Sequence, residues 1–178
     1  MKIRKASAED LQTVLAVERA AFGQVEEADL VRDLLADPTA QPCLSLLAED
    51  GDDPVGHVLF TAARIEGADK SVTAAIPAPL AVVPGAQGKG VGRALVENGL
   101  RRLAETGTAL VFVLGDPAYY SRFGFEPATR LGFAAPYPLP DAYAEAWMVQ
   151  ALRDGVLGSV HGRIVCADAL SRPELWQE

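Results

Sequence analysis

Two stretches of this 178-residue chain carry residue types and spacings that can do chemistry. The first is Pro79-Leu80-Ala81-Val82-Val83-Pro84-Gly85-Ala86-Gln87-Gly88-Lys89-Gly90-Val91-Gly92-Arg93. An apolar strand runs into Pro84, and glycines then stand at the alternate positions 88, 90 and 92. With no Cβ in the way, backbone N–H groups can close around an anion. Beyond them Val91, Leu95, Val96, Leu100 and Leu103 recur at helical spacing. The start of such a helix adds unpaired N–H donors and a partial positive charge, so the run reads as a phosphate cradle. The second stretch is Leu114-Gly115-Asp116-Pro117-Ala118-Tyr119-Tyr120-Ser121-Arg122-Phe123-Gly124-Phe125. Its tyrosines offer a phenol, which is protonated at neutral pH and can donate.

The spacing narrows the phosphate ligand. A mononucleotide loop needs Ser or Thr after Gly-Lys to hold the metal. Here Gly90 follows Gly88-Lys89, and Val83 stands where the first glycine belongs. A dinucleotide fingerprint starting at Gly88 needs glycine at 93, where the chain has Arg93. What fits is Gln-x-x-Gly-x-Gly, as Gln87, Gly90 and Gly92, directly after an apolar strand. The bland alternative is a glycine-rich turn with no ligand.

The loop resembles the coenzyme A pyrophosphate loop of the GNAT N-acetyltransferase superfamily. Tyr120, Gly124 and Phe125 are similar to that superfamily's Tyr-x-x-x-Gly-Phe, and the run from Leu114 is similar to its bacterial members. The likeness spans roughly residues 2 to 168 and is strongest from 79 to 127. It implies an α/β fold over residues 1–178: a mixed, mostly antiparallel sheet with a splayed central strand pair and helices on both faces. It implies an acetyl-CoA-dependent N-acetyltransferase in which a primary amine attacks the thioester directly. Backbone groups of Leu80, Ala81 and Val82 would hold the acetyl and pantetheine groups. Gln87, Gly88, Lys89, Gly90, Val91, Gly92 and Arg93 would hold the pyrophosphate. Tyr120 would be the general acid for the departing thiolate, with Tyr119 a packing residue. The competing reading of the same fold is a non-catalytic acyl-CoA-binding or regulatory module.

Composition sets the remaining bounds. The hydrophobic fraction of 49% and charged fraction of 22% suit one globular core. A net charge of −8 disfavours nucleic acid and anionic membrane as partners. Met1-Lys2-Ile3-Arg4-Lys5 leads into no apolar stretch, and a cytoplasmic protein is expected. Cys43, Cys166, His57 and His161 form no ligand-spaced cluster, so no metal is expected. Gly158-Ser159-Val160-His161-Gly162 lacks the spacing of a serine nucleophile elbow. The partner is then an amine, small or on a peptide; a homodimer is compatible with the sequence.

The elements that must position these residues can be read coarsely. Ile3–Ala6 is a strand, and Ser7 with Asp10 starts a helix bearing Leu11, Val14, Leu15 and Phe22. Glu26–Ala36 is a second helix, stopped by Asp37-Pro38. Cys43–Ala48 and Val55–Ile65 form a hairpin. Ser71–Val83 is a strand interrupted by Pro77 and Pro79, which predicts a bulge or missing ladder bonds. A helix over 89–105 and a strand over 110–114 follow, then a short helix near 117–122 and late strands at Ala144–Leu152 and His161–Ala167. Glu26, Glu27 and Asp29 read as an acidic first turn, and Asp116 as a helix cap. Arg101 and Arg102 read as a solvated face, and His57, in an apolar run, as a satisfied interior histidine.

Overall fold

The computed structural model describes residues 1–177. Strand β1 (Lys2–Lys5) leads to a 3-10 turn at Ala8–Asp10 and helix α1 (Leu11–Phe22). The Ser7 backbone N–H donates to the Asp10 carboxylate at 2.8 Å, and Arg4 grips the same carboxylate at 2.9 Å. Helix α2 (Glu26–Ala36) has the bounds read from the sequence. Asp37 ends it and caps the following turn by accepting from Thr39 N–H at 2.8 Å. Strands β2 (Leu44–Asp50) and β3 (Asp53–Ile65) form a tighter hairpin than expected, with Gly51 in the left-handed region at φ 62°. Strand β4 (Ala74–Val82) begins three residues later than read. Helix α3 (Val91–Glu105), β5 (Leu110–Leu114) and the one-turn α4 (Pro117–Tyr120) follow. The two-residue strands β6 (Glu126–Pro127) and β7 (Phe133–Ala134), then β8 (Trp147–Ala151) and β9 (Gly162–Val165), come next, followed by 3-10 turns at Asp168–Leu170 and Pro173–Trp176.

The sheet runs β1-β2-β3-β4-β5-β8-β6, with β9 joining the far end of β3 and β7 pairing β9. Most neighbours are antiparallel; β4–β5 and β7–β9 are parallel. Both faces are covered. On one, Val14, Leu15 and Val17 of α1 and Val31 and Leu34 of α2 pack with Leu47 of β2 and Leu59 of β3. On the other, Val91, Leu95, Val96, Leu100 and Leu103 of α3 pack with Leu46, Val58, Phe60 and Val111. A sheet covered on both sides needs apolar residues at consecutive positions, which is why β5 and the Val58-Leu59-Phe60 stretch of β3 read as apolar runs. Phe112 anchors the β5–β8 side, stacked on Trp147 with centroids 5.3 Å apart.

The two prolines of β4 act as the sequence suggests. The β3–β4 register runs His57↔Ala81 and Val58↔Leu80, then slips before Phe60↔Pro77, so β4 carries an extra residue. Proline has no N–H to give the ladder.

Candidate active site

The site begins where the sheet opens. Strands β4 and β5 pair only at Ala74↔Leu110 and Ala75↔Val111. Beyond these, β4 continues to Val82 and β5 to Leu114 without facing ladder partners on each other. The edge of β4 that faces β5 therefore keeps backbone donors and acceptors for another molecule. Leu80 and Val82 are half-buried on this stretch and Ala81 is buried.

The glycine loop lies at the end of that opening. A 3-10 turn at Pro84–Ala86 reverses the chain, and the Gln87 amide donates to the Val82 carbonyl at 3.1 Å, tying loop to strand. Gly88 and Gly90 have φ of 74° and 85°, the left-handed region, and a Cβ on either would meet nothing within 4 Å. The conformation, not crowding, selects glycine there, and the space beside the loop is open. Gly90 caps α3, which begins at Val91, two residues later than the sequence suggests. Lys89 and Arg93 are exposed, Arg93 bridging to Glu97 at 2.8 Å.

The two tyrosines occupy different positions. A Cβ on Gly92 would come within 2.9 Å of the Tyr119 hydroxyl, so Tyr119 lies directly on the first turn of α3. Arg122 sits over its ring at 5.6 Å. The Tyr120 ring meets that of Tyr119 edge-on, with centroids 5.0 Å apart, and packs edge-on against Phe125, with Phe123 tilted nearby. A Cβ on Gly115 would meet the Tyr120 ring at 2.4 Å, so that glycine makes room for it at the end of β5. Burial, with a smaller contribution from Tyr119, pushes the Tyr120 phenol up to about 12. The phenol therefore keeps its proton throughout the physiological range. The Tyr119 phenol is also raised by burial, against the pull of Arg122 and Arg93. The place of Tyr119 against the loop was not legible in sequence; its signal is the small residue Gly92.

The remaining candidates fall where local chemistry puts them. Asp116 accepts from Ala118 N–H at 2.9 Å and caps α4. Glu26, Glu27 and Asp29 form the first turn of α2, with Asp29 bridged to Arg32 at 3.0 Å. Arg101 pairs with Glu105 on an exposed face, and the Arg102 guanidinium donates to Asn98 at 2.6 Å. His57 is fully buried, with Nδ1 2.6 Å from Glu18 Oε1 and Nε2 2.8 Å from Ser45 Oγ. Glu18, 39 positions away on α1, was missed because only its helix face hints at burial. A cavity of about 350 Å3 opens at the end of β5, lined by Gly115, Asp116, Tyr143 and Glu145. No helix among the described residues is long and apolar enough to cross a membrane.

Residues 2–128 match the family model of the acetyltransferase (GNAT) domain. The chain belongs to the GNAT acetyltransferase family. It is 46% identical over 160 residues to the uncharacterized N-acetyltransferase YjhQ of Escherichia coli (strain K12), spanning 89% of this chain and 88% of that one. Its structure is similar to that of the GNAT family N-acetyltransferase YhbS of Escherichia coli, solved in complex with CoA. That likeness has a TM-score of 0.85 at 35% identity and covers 96% of this chain and 92% of the other. A GNAT family acetyltransferase from Brucella melitensis, solved with acetyl-CoA, matches with TM-score 0.74 at 28% identity over 95% of this chain and 97% of its own. The fold expected from the resemblance, a mixed and mostly antiparallel sheet opened between two central strands, is the fold of this GNAT enzyme. It is an acetyltransferase.

Proposed function

We propose that this enzyme moves an acetyl group from acetyl-CoA to a primary amine by direct attack in a ternary complex, with the cofactor lying in the β4–β5 opening. The observation that carries the reading is the ladder that stops after Ala75↔Val111, directly before a left-handed glycine loop. A ligand with an amide-rich arm and a pyrophosphate suits both halves: unpaired strand edge for the arm, open N–H groups for the phosphates. Leu80, Ala81 and Val82 would bind the acetyl and pantetheine groups through their backbone. Gln87 to Arg93 would bind the pyrophosphate, Lys89 and Arg93 adding charge.

Acetyl-CoA supplies a carbon already activated as a thioester, so the chain needs no covalent intermediate of its own. Holding amine and carbonyl together can contribute ~7–11 kcal/mol of the barrier. A β4 backbone N–H near Val82 would donate to the carbonyl oxygen as it gains charge. The acceptor enters as the ammonium and loses that proton to solvent before it attacks. As the carbon–nitrogen bond forms and the carbon–sulfur bond breaks, the attacking nitrogen gives up its remaining extra proton to water, Tyr120 gives its phenolic proton to the leaving sulfur, and the phenolate takes a proton back from that water.

The acceptor is read as a cationic amine, free or on a peptide, in a cytoplasmic protein. The net charge of −8, the acidic start of α2 and Asp116 in the lining of the cavity at the end of β5 favour a positive guest, while Glu145 in the same lining is already paired with Arg130 at 2.7 Å. The test is acetyl transfer to a panel of cationic, neutral and acidic amines, followed by thiol release at low and high salt. The reading expects the cationic amines to be best, with KM rising as salt rises. A best acceptor that is neutral or acidic, or a KM indifferent to salt, contradicts the acceptor class. Acetyl-CoA binding with no thiol released for any amine on the panel favours the binding module over acetyl transfer.

A further inference from the structure

One buried group of polar side chains takes no part in the acetyl-transfer reading. Ser45 of β2, His57 of β3 and Glu18 of α1 form a continuous chain of hydrogen bonds. Ser45 Oγ stands 2.8 Å from His57 Nε2, and His57 Nδ1 stands 2.6 Å from Glu18 Oε1. His57 and Glu18 are fully buried, while Ser45 is half-buried and lines a cavity of about 590 Å3. That cavity lies at the start of α1 and the end of α2, away from the glycine loop; its walls include Leu11, Leu35 and Leu44, with Lys5, Arg32 and Gln41 around them.

A fastening role accounts poorly for this chain of bonds. Glu18 Oε2 is buried with no hydrogen-bond partner among the described residues, so the carboxyl bears the cost of burial with half its bonding capacity unused. Apolar residues of the same volume would hold α1 to the sheet as well. What the order hydroxyl, imidazole, carboxylate does supply is an activated hydroxyl. With Nδ1–H donated to the carboxylate, Nε2 is left as the acceptor for the serine proton. Such a constellation is recognised by geometry and roles, not by position in a sequence or fold.

We propose that Ser45, His57 and Glu18 make a second catalytic site, in which Ser45 is a nucleophile toward esters or thioesters of apolar acyl groups that end in a carboxylate. Ser45 Oγ attacks the acyl carbonyl as its proton passes to His57 Nε2, and that proton then leaves on the departing alcohol or thiol. Water, deprotonated by the same imidazole, breaks the acyl–serine bond, releasing the acid and restoring the hydroxyl. Glu18 keeps the imidazole in the tautomer that accepts. The apolar walls suit the acyl body. Lys5 and Arg32, the latter already bridged to Asp29 at 3.0 Å, favour the anionic end.

The test uses the full-length protein, a fluorophosphonate probe and two esters, 4-nitrophenyl butyrate and mono-4-nitrophenyl succinate. The site predicts covalent labelling at Ser45 by intact-mass and peptide mapping, abolished in Ser45→Ala. Glu18→Gln should slow labelling tenfold or more, as loss of an oriented base does. The acid-tailed ester should be hydrolysed faster than the neutral one, and acetyl-CoA binding should be the same in Ser45→Ala as in wild type. Absence of labelling at Ser45, hydrolysis that survives Ser45→Ala, or equal labelling of a folded Glu18→Gln overturns the site. A neutral ester turned over as fast as the acid-tailed one overturns its ligand class. Should Glu18→Gln fail to fold, wild type against Ser45→Ala still decides.

Discussion

Strand β5 has two edges with opposite histories. Toward β8 it pairs along its whole length, from Leu110↔Ala151 to Leu114↔Trp147. Toward β4 it pairs at two positions and then lets go. The residues are the same five, so the difference lies in the partners. Strand β8 is antiparallel and presses Trp147 onto Phe112, whereas β4 reaches the opening with two prolines and a register slip against β3. One edge builds the core; the other is left unsatisfied, and an unsatisfied strand edge inside a sheet needs a ligand or water to complete it. The fold thus spends hydrogen-bonding groups where the proposed chemistry occurs and saturates them next door.

The largest effect is expected at Tyr120, on α4 just past the end of β5. Tyr120→Phe keeps the ring that packs on Phe125 and removes only the proton donor. We expect kcat to fall by ~10²–10⁴ while the affinity for acetyl-CoA changes little; steady-state kinetics and calorimetry on one preparation check both. A Tyr120→Phe enzyme as fast as wild type on its best amine returns the residue to packing. On the closed edge, Phe112→Ala should cost ~3–5 kcal/mol of stability by urea unfolding, because the side chain is fully buried. Cofactor affinity of the folded fraction should stay near that of wild type. If binding weakened in proportion to stability, the two edges would not be separable.

A smaller effect sharpens the account through pH. Burial holds the Tyr120 phenol at about 12 against the usual value near 10, so the folded state retains this proton longer than the unfolded chain does. The stabilisation from keeping it neutral is whole below pH ~10 and is lost as pH rises toward ~12. Wild-type stability should therefore fall more steeply over that window than Tyr120→Phe does, and kcat should show no loss from Tyr120 between pH 8 and 10. The smallest effect is expected at Tyr119→Phe. That hydroxyl rests on Gly92 outside the proposed proton path, and kcat should stay within about threefold of wild type.

Much of this was legible in the sequence where the determinants are local. Helix α2 and strand β5 have the bounds that periodicity and Asp37-Pro38 predict, and the glycine loop reads from residue type alone. Pro77 and Pro79 announced the broken ladder without saying which neighbour would be lost; the slip appears against β3 and the opening toward β5. What could not be read is non-local. Strands β6 and β7 have two residues each, too short for any alternation, and exist because β8 and β9 lie beside them. His57 could be read as buried and satisfied, but its partners Glu18 and Ser45 come from other elements and only the packed sheet brings them together. Tyr119 and Tyr120 are adjacent in sequence and differ in role only because a helix turn aims one at Gly92 and the other at Gly115.

The central claim, that acetyl-CoA completes the open edge and is held at its phosphates by the loop, rests most directly on Gly90. Its φ of 85° excludes ordinary side chains, and a carboxylate there would face the pyrophosphate. Isothermal titration of acetyl-CoA into wild type and Gly90→Asp, with folding of both checked by circular dichroism, is the decisive measurement. Clear binding to wild type and at least a hundredfold loss in a folded Gly90→Asp are the expected results. Undetectable binding to wild type, or equal affinity in the two proteins, contradicts the claim.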